Sequence, residues 1–209
     1  MVSDLGEPDL AIDLMGRALE LSPYDPEGRE MLATFLRRKG DLDGAIAEYE
    51  RAVAVDPELT NAHVELADAY AARGWPDKAA ASFRRALVTN PNHGAALVGL
   101  ANLYARLGPV GWSVPLYERA IPLSAPWSLG GLYANLANAW ATLGEHARAA
   151  GLYREALRRA PGDAQTHYAL GCSLAYLGDR PGARAEWRRA LELDPTHEPA
   201  RTNLERLSD

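Results

Sequence analysis

One cysteine, Cys172, stands in 209 residues, which rules out an intrachain disulfide and any cysteine-based metal site within one chain. Lysine is nearly missing as well. Only Lys39 and Lys78 occur among 22 basic residues, the rest being arginines, a preference that reflects base composition. Acids number 28 and the net charge is −6, so the clustered cations that wholesale nucleic-acid binding needs are not available. The first residues, Met-Val-Ser-Asp-Leu-Gly-Glu, show neither a basic patch nor an apolar run, so no signal peptide is read there and a cytoplasmic location is expected. Hydrophobic residues make up 47% and charged residues 24%, a soluble-protein balance that argues against both disorder and a membrane span.

Catalytic signatures are missing too. There is no glycine-rich phosphate loop, no His-Glu-x-x-His and no nucleophilic serine between glycines. The five histidines, His63, His93, His146, His167 and His197, are scattered, so neither a metal nor another cofactor is expected. Trp140 and Trp187 read as core, and Cys172 as a small groove or core residue, not a nucleophile. The chain is expected not to be an enzyme in itself.

What the chain does have is a beat. Gly6, Gly40, Gly74, Gly108, Gly144 and Gly178 lie 34, 34, 34, 36 and 34 residues apart. Pro23, Pro57, Pro91, Pro161 and Pro195 keep the same time, with Ala125 at the missed place. A fixed period of this length marks a solenoid, whose units bury themselves only against their neighbours. Within residues 130–163, Tyr133, Leu136, Ala137 and Trp140 share one helical face before Gly144. Ala149, Tyr153 and Ala156 share another before Pro161. Two amphipathic helices of about 12–14 residues follow from that spacing, close to the usual globular length. Gly144 suits the left-handed end of the first, and Pro161 stops the second.

The same positions recur elsewhere. Leu32, Ala33, Leu36, Ala45, Tyr49 and Ala52 fill residues 26–59. His63, Leu66, Ala67, Tyr70, Ala79, Phe83 and Ala86 fill residues 60–93, and His167, Leu170, Gly171, Leu174, Ala183, Trp187 and Ala190 fill residues 164–197. This pattern resembles the tetratricopeptide repeat, aromatic-x2-Leu-small-x2-Tyr followed by Ala-x3-aromatic and Pro. His63, His167 and Leu97 depart from it at the first aromatic. The resemblance implies an all-α, right-handed superhelical solenoid of antiparallel helix pairs. Its units are a half repeat at 1–25 (second helix only), full repeats at 26–59 and 60–93, an irregular repeat with two extra residues at 94–129, full repeats at 130–163 and 164–197, and a capping helix at 198–209.

The first unit, with Gly6, Ala11, Met15, Ala18 and Pro23, matches only the second half of a repeat. Its helix, from about Pro8 to Leu21, is expected to expose an apolar flank drawn from Leu10, Leu14 and Leu21. Truncation of a longer protein or cover by another copy would explain it. At the far end Arg201, Glu205 and Ser208 replace apolar or small residues, as a solvating cap requires. In the irregular repeat Pro115 interrupts the second helix unless that helix starts late with Ser113 as its N-cap. Pro122 interrupts it again. Trp112 and Trp127 match no repeat position. They form either an exposed aromatic contact site at a bent hinge or half-buried packing around a shortened helix.

In the family the first helix of each unit lines a concave groove. Residue by residue, the resemblance picks Glu65 and Asp68, then Asn102 and Arg106, then Asn135 and Asn138, and finally Gln165, Tyr168, Cys172 and Tyr176. Asparagines both donate and accept, so they can bond an extended peptide whatever its sequence. The run Tyr133-Ala-Asn-Leu-Ala-Asn-Ala-Trp140 resembles the superhelical arm of O-linked N-acetylglucosamine transferases. The asparagine ladder is incomplete here, with Glu65, Gly99 and Ala169 at places equivalent to Asn135. Asn102 and Asn135 also resemble a chaperone-tail carboxylate clamp, but Val98, Gln165 and Ala169 stand where its basic residues would be. The implied function is a non-catalytic scaffold that binds a protein or peptide in the groove, with no nucleic-acid or membrane partner. The alternatives are a substrate-recruiting arm of a larger, glycosyltransferase-like enzyme and a scaffold that self-assembles through its N-terminal half repeat.

Overall fold

The computed structural model describes residues 7–207, so Gly6 and Ser208 of the repeat pattern lie outside the described residues. All regular structure there is helical. The elements are α1 (Glu7–Leu21), α2 (Pro26–Lys39), α3 (Leu42–Val55), α4 (Thr60–Arg73), α5 (Pro76–Thr89), α6 (Gly94–Leu107), α7 (Ser113–Ala120), α8 (Leu129–Thr142), α9 (His146–Arg159), α10 (Ala164–Tyr176), α11 (Arg180–Leu193) and α12 (Glu198–Arg206). This is an all-α helical repeat array. It divides into two compact units, Met1–Leu100 and Ala101–Asp209, and α6 gives its first turns to one and its last to the other.

In the first unit the turn between paired helices shows why the glycine beat exists. Gly40 has φ 93° at the end of α2, where a Cβ would be strained. Its N–H donates to Arg37 O, and Asp41 N–H donates to Leu36 O at 2.9 Å, satisfying carbonyls that the helix leaves open. Asp41 then caps α3 by accepting from Gly44 N–H at 2.9 Å. Two residues thus end one helix and begin the next. The core between α2, α3, α4 and α5 runs through Ala33, Ala45, Tyr49, Ala67, Phe83 and Ala86, all fully or almost fully buried. Burying a ring such as Phe83 contributes roughly 2–3 kcal/mol. Small residues matter equally, because a Cβ on Gly99 would stand 2.3 Å from Phe83 Cζ.

Helix α1 packs on α2 and is tied to it by Lys39 Nζ at 2.6 Å from Asp9 Oδ1. Its other flank is bare. Leu10, Leu14 and Leu21 are exposed, as expected. The repeat comparison is sharper still: Ala52 and Ala86 are sealed, whereas the equivalent Ala18 is exposed.

In the second unit Gly144 and Gly178 repeat the left-handed turn with φ of 83° and 82°. Gly108 does not, although it keeps the beat. There α6 runs into a 3-10 turn at Val110–Trp112, and the tight two-residue connection is replaced. Helix α7 then has only 8 residues and is followed by 3-10 turns at Ile121–Leu123 and Pro126–Ser128. Ser113 is not its N-cap: it is the first helical residue, and its buried hydroxyl donates to Val110 O at 2.7 Å. Pro115 falls in the first turn, where no intrahelical N–H is lost. The core continues through Ala137, Ala149, Tyr153, Leu170, Leu174, Ala183, Trp187, Ala190 and Ala200.

The departures at the first aromatic position, Leu97 apart, have a shared physical reason. Within the first unit, His63 Nε2 donates to Pro57 O at 3.1 Å, and Arg29 donates to Pro23 O through Nη2 at 2.5 Å. Within the second, His167 Nε2 donates to Pro161 O at 3.2 Å and Arg201 Nη2 to Pro195 O at 2.6 Å. Each side chain reaches back six residues to the carbonyl of the proline that is the second residue of the preceding connection. A donor does there what an aromatic ring could not.

Candidate functional site

The sequence-predicted groove residues are spread over both units. In the first, Glu65 and Asp68 lie on α4. Glu65 Oε2 is 2.5 Å from Arg37 Nη2, an ion pair without hydrogen-bond geometry. Asp68 keeps much of its surface in water, yet the protein packed around its carboxyl, with the nearby Glu65 charge, raises its pKa. Burial, then Glu65 and Glu27, raise that of Glu30 in the same way. In the first unit these candidates form a mixed-charge surface.

The remaining candidates all lie in the second unit; Asn102 meets Asn135, five others share a cleft, and Arg106 joins neither group. Asn102 and Arg106 come from α6, Asn135 and Asn138 from α8, and Gln165, Tyr168, Cys172 and Tyr176 from α10. The asparagines are not loose groups. Tyr117 Oη, from α7, donates to Asn102 Oδ1 at 2.6 Å, and Tyr153 Oη, from α9, donates to Asn138 Oδ1 at 2.6 Å. Asn135 Nδ2 adds a longer bond of 3.4 Å to Asn102 Oδ1. A buried tyrosine of the second helix therefore fixes the amide of the first, 15 residues earlier, through its Oδ1. Thr34 and Tyr49 show the same pairing at 3.0 Å in the first unit. At Asp68 it is lost, since the residue 15 later is Phe83, which has no hydroxyl. Burial pushes both Tyr117 and Tyr153 up to about 12, so they stay protonated as donors.

Asn138, Gln165, Tyr168, Cys172 and Tyr176 line one cleft of about 600 Å³, together with Thr142, His146 and Tyr153. His146, the first residue of α9, stacks face to face on Tyr176, with centroids 4.2 Å apart and planes 2° from parallel. Its Nδ1 is buried without a partner. Tyr168 lies against His197, which reaches Gln165 Oε1 at 3.1 Å. Asn203 Nδ2 donates to Cys172 Sγ at 3.7 Å, so the thiol is held within the wall. Burial, then the Cys172 thiol, raise the Tyr168 pKa. Sequence reasoning missed His146 and Asn203, because the groove rule looks only along first helices of full repeats.

Trp112 is 60% exposed and set edge-on to Tyr104 at 5.4 Å, while Trp127 is 89% exposed. Packing around the shortened α7 does not half-bury them, and the 3-10 turns leave Trp127 in solvent. A larger cleft, about 870 Å³, opens between α7 and α9 over Leu136 and Trp140. Arg148 already covers the Trp140 ring at 4.6 Å. No group of three or more His, Cys, Asp or Glu side chains gathers within metal-binding reach among the described residues. No helix among them is long and apolar enough to cross a membrane.

Four family models match: a TPR repeat over residues 36–74, and tetratricopeptide repeats over 60–103, 130–160 and 164–197. Residues 104–129, around the short α7, fall outside all four. No curated protein matches the chain by sequence. Among solved structures, YrrB, described as a TPR protein with an unusual peptide-binding site, superposes with a TM-score of 0.85 at 21% identity, covering 91% of this chain and 97% of its own. MamA from Desulfovibrio magneticus RS-1 gives 0.75 at 17% identity, covering 82% of this chain and 96% of its own. The Cut9–Hcn1 assembly gives 0.69 at 17% identity, covering 98% of this chain and 40% of that one. At these identities the likeness concerns the fold.

Proposed function

The chain belongs to the tetratricopeptide repeat family, and from that premise we propose that it is a non-catalytic scaffold that holds a peptide segment of a partner protein on its first-helix track. The carrying observation is the tyrosine-fixed amide pair, Asn102 and Asn138, whose Oδ1 atoms are occupied and whose Nδ2 groups have no partner among the described residues. Amides held by buried hydroxyls meet a ligand at little further ordering cost, which is how a rigid surface gains affinity. Asn135 adds a third amide beside them, while Arg106, Tyr168 and Tyr176 contact side chains of the bound segment.

Selection of binders from a displayed peptide library on the intact protein tests this. The double variant Asn135→Ala/Asn138→Ala is expected to weaken a selected peptide about tenfold or more. Asn138→Ala also takes the acceptor from the buried Tyr153 hydroxyl, so a lower melting temperature is expected and binding is compared well below it. Binding unchanged in that variant would remove the amide track from the account.

A second reading rests on α1, whose Ala18 is bare where every other repeat seals the same alanine. The Ala11, Leu14, Ala18 and Leu21 stripe is then covered by the same stripe of a second copy, making a self-associating scaffold. Light scattering should show mass rising with concentration, and Leu14→Glu should hold the protein monomeric. A monomer at every concentration would end this reading.

A further inference from the structure

The hydrogen-bonding chemistry of the second unit's track is one-sided. Asn102 Oδ1 already accepts two bonds, from Tyr117 Oη and Asn135 Nδ2, and Asn138 Oδ1 accepts one from Tyr153 Oη, so what these amides have left is weighted towards N–H donors. Gln165 meets His197 through its Oε1 and is left with its own N–H groups. Against these donors the ligand side of the track offers one amide acceptor, Asn135 Oδ1. Helices α8 and α10 carry no Asp, Glu, Lys or Arg at all along Leu129–Thr142 and Ala164–Tyr176. Aromatic ledges complete the track: the stacked, parallel Tyr176–His146 pair and Tyr168 against His197.

A surface rich in donors, poor in acceptors and, along α8 and α10, free of charge suits a segment with carbonyls to accept, few N–H groups to satisfy and no ionised side chains against those two helices. Proline supplies that backbone, since it lacks the N–H. Its runs adopt an extended helix with fully solvated carbonyls and little entropy left to lose, and their rings pack on aromatic faces. Resting on the groove function argued above, we infer that the track from Asn102 to Tyr176 recognises an uncharged, proline-rich segment in the polyproline II conformation. Asn102 and Asn138 donate to its carbonyls. Tyr176, 75% exposed and braced from behind by His146, forms the platform for its rings.

The test uses the whole protein and three fluorescent dodecapeptides: Pro-Pro-Ala repeats with an amidated end, the same length in alanine and glycine, and an acidic peptide with a free carboxylate. The proline probe is expected to bind about tenfold or more tighter than either other probe, a difference of about 1.4 kcal/mol. Tyr176→Ala and Asn138→Ala, both at exposed positions, should each weaken it several-fold, while Trp127→Ala should leave it unchanged. Equal binding of the alanine–glycine probe, stronger binding of the acidic one, or indifference to Tyr176→Ala would overturn the inference. Library selection separates its failure from that of the groove itself. Selected peptides without proline that are lost in Asn135→Ala/Asn138→Ala overturn only the proline preference. Peptides indifferent to that double variant overturn both.

Discussion

Gly171→Ala is expected to destabilise the second unit by about 2 kcal/mol, although alanine is the better helix former by about 1 kcal/mol. The added Cβ would stand 2.5 Å from both Cδ1 and Nε1 of Trp187, a buried ring whose nitrogen donates to Tyr168 O at 3.1 Å. Such a ring has nowhere cheap to go. The fourth repeat supplies the control, since it pairs Ala137 with the smaller Tyr153. Trp187→Tyr alone should cost stability through a void and a lost hydrogen bond. Combined with Gly171→Ala it should recover much of that loss, giving a coupling of about 1 kcal/mol or more in a double-mutant cycle. Thermal or urea unfolding of the four proteins measures it. Gly171→Ala as stable as the parent, or strictly additive costs, would show that the glycine is not there to admit the indole.

Alkaline pH should unfold the protein before its backbone chemistry fails. Tyr117 and Tyr153 have their pKa raised to about 12 by burial, against the ordinary value of 10. A raised acid gives stability that is complete below the unfolded value and lost as pH climbs through the folded one. The window is therefore pH 10 to 12, and each tyrosine takes away on the order of 2 kcal/mol across it. Tyr70, raised by burial and by its hydrogen bond to Glu50, acts in the same direction. Melting curves at half-unit steps should fall steeply above pH 10, and Tyr117→Phe should remove one share of the slope. Phenolate absorbance appearing at an ordinary pKa in the folded protein would refute it. On the acid side, burial lowers the His63 pKa, so stability should begin to fall as pH drops below 6.5, the ordinary histidine value.

The periodic residues made the helices legible because each carries its own physical constraint. Gly40 and Gly178 end helices in a conformation other residues avoid, and Ala52 or Ala190 sits where no larger side chain fits. Where the period slipped, legibility went with it. Gly108 kept its place and lost its conformation, and Ser113 looked like a cap and became a buried helix residue. The groove candidates lie on first helices, as the repeat pattern implies, but their bonding was not legible, because it depends on partners from the second helix. A signal was available all the same. A polar residue 15 positions before a second-helix tyrosine occurs at Thr34, Asn102 and Asn138, and a histidine or arginine six positions after a proline occurs at Arg29, His63, His167 and Arg201.

The hydroxyl that holds each groove amide also has an implication for how such proteins diversify. Tyr117 and Tyr153 are almost wholly buried, yet losing either hydroxyl would free an amide to rotate and offer its carbonyl instead. The recognition alphabet is thus written partly on concealed letters. A lineage, or an engineer, could swap a donor-presenting surface for an ambivalent one by a single Tyr→Phe exchange, leaving every residue in view unaltered.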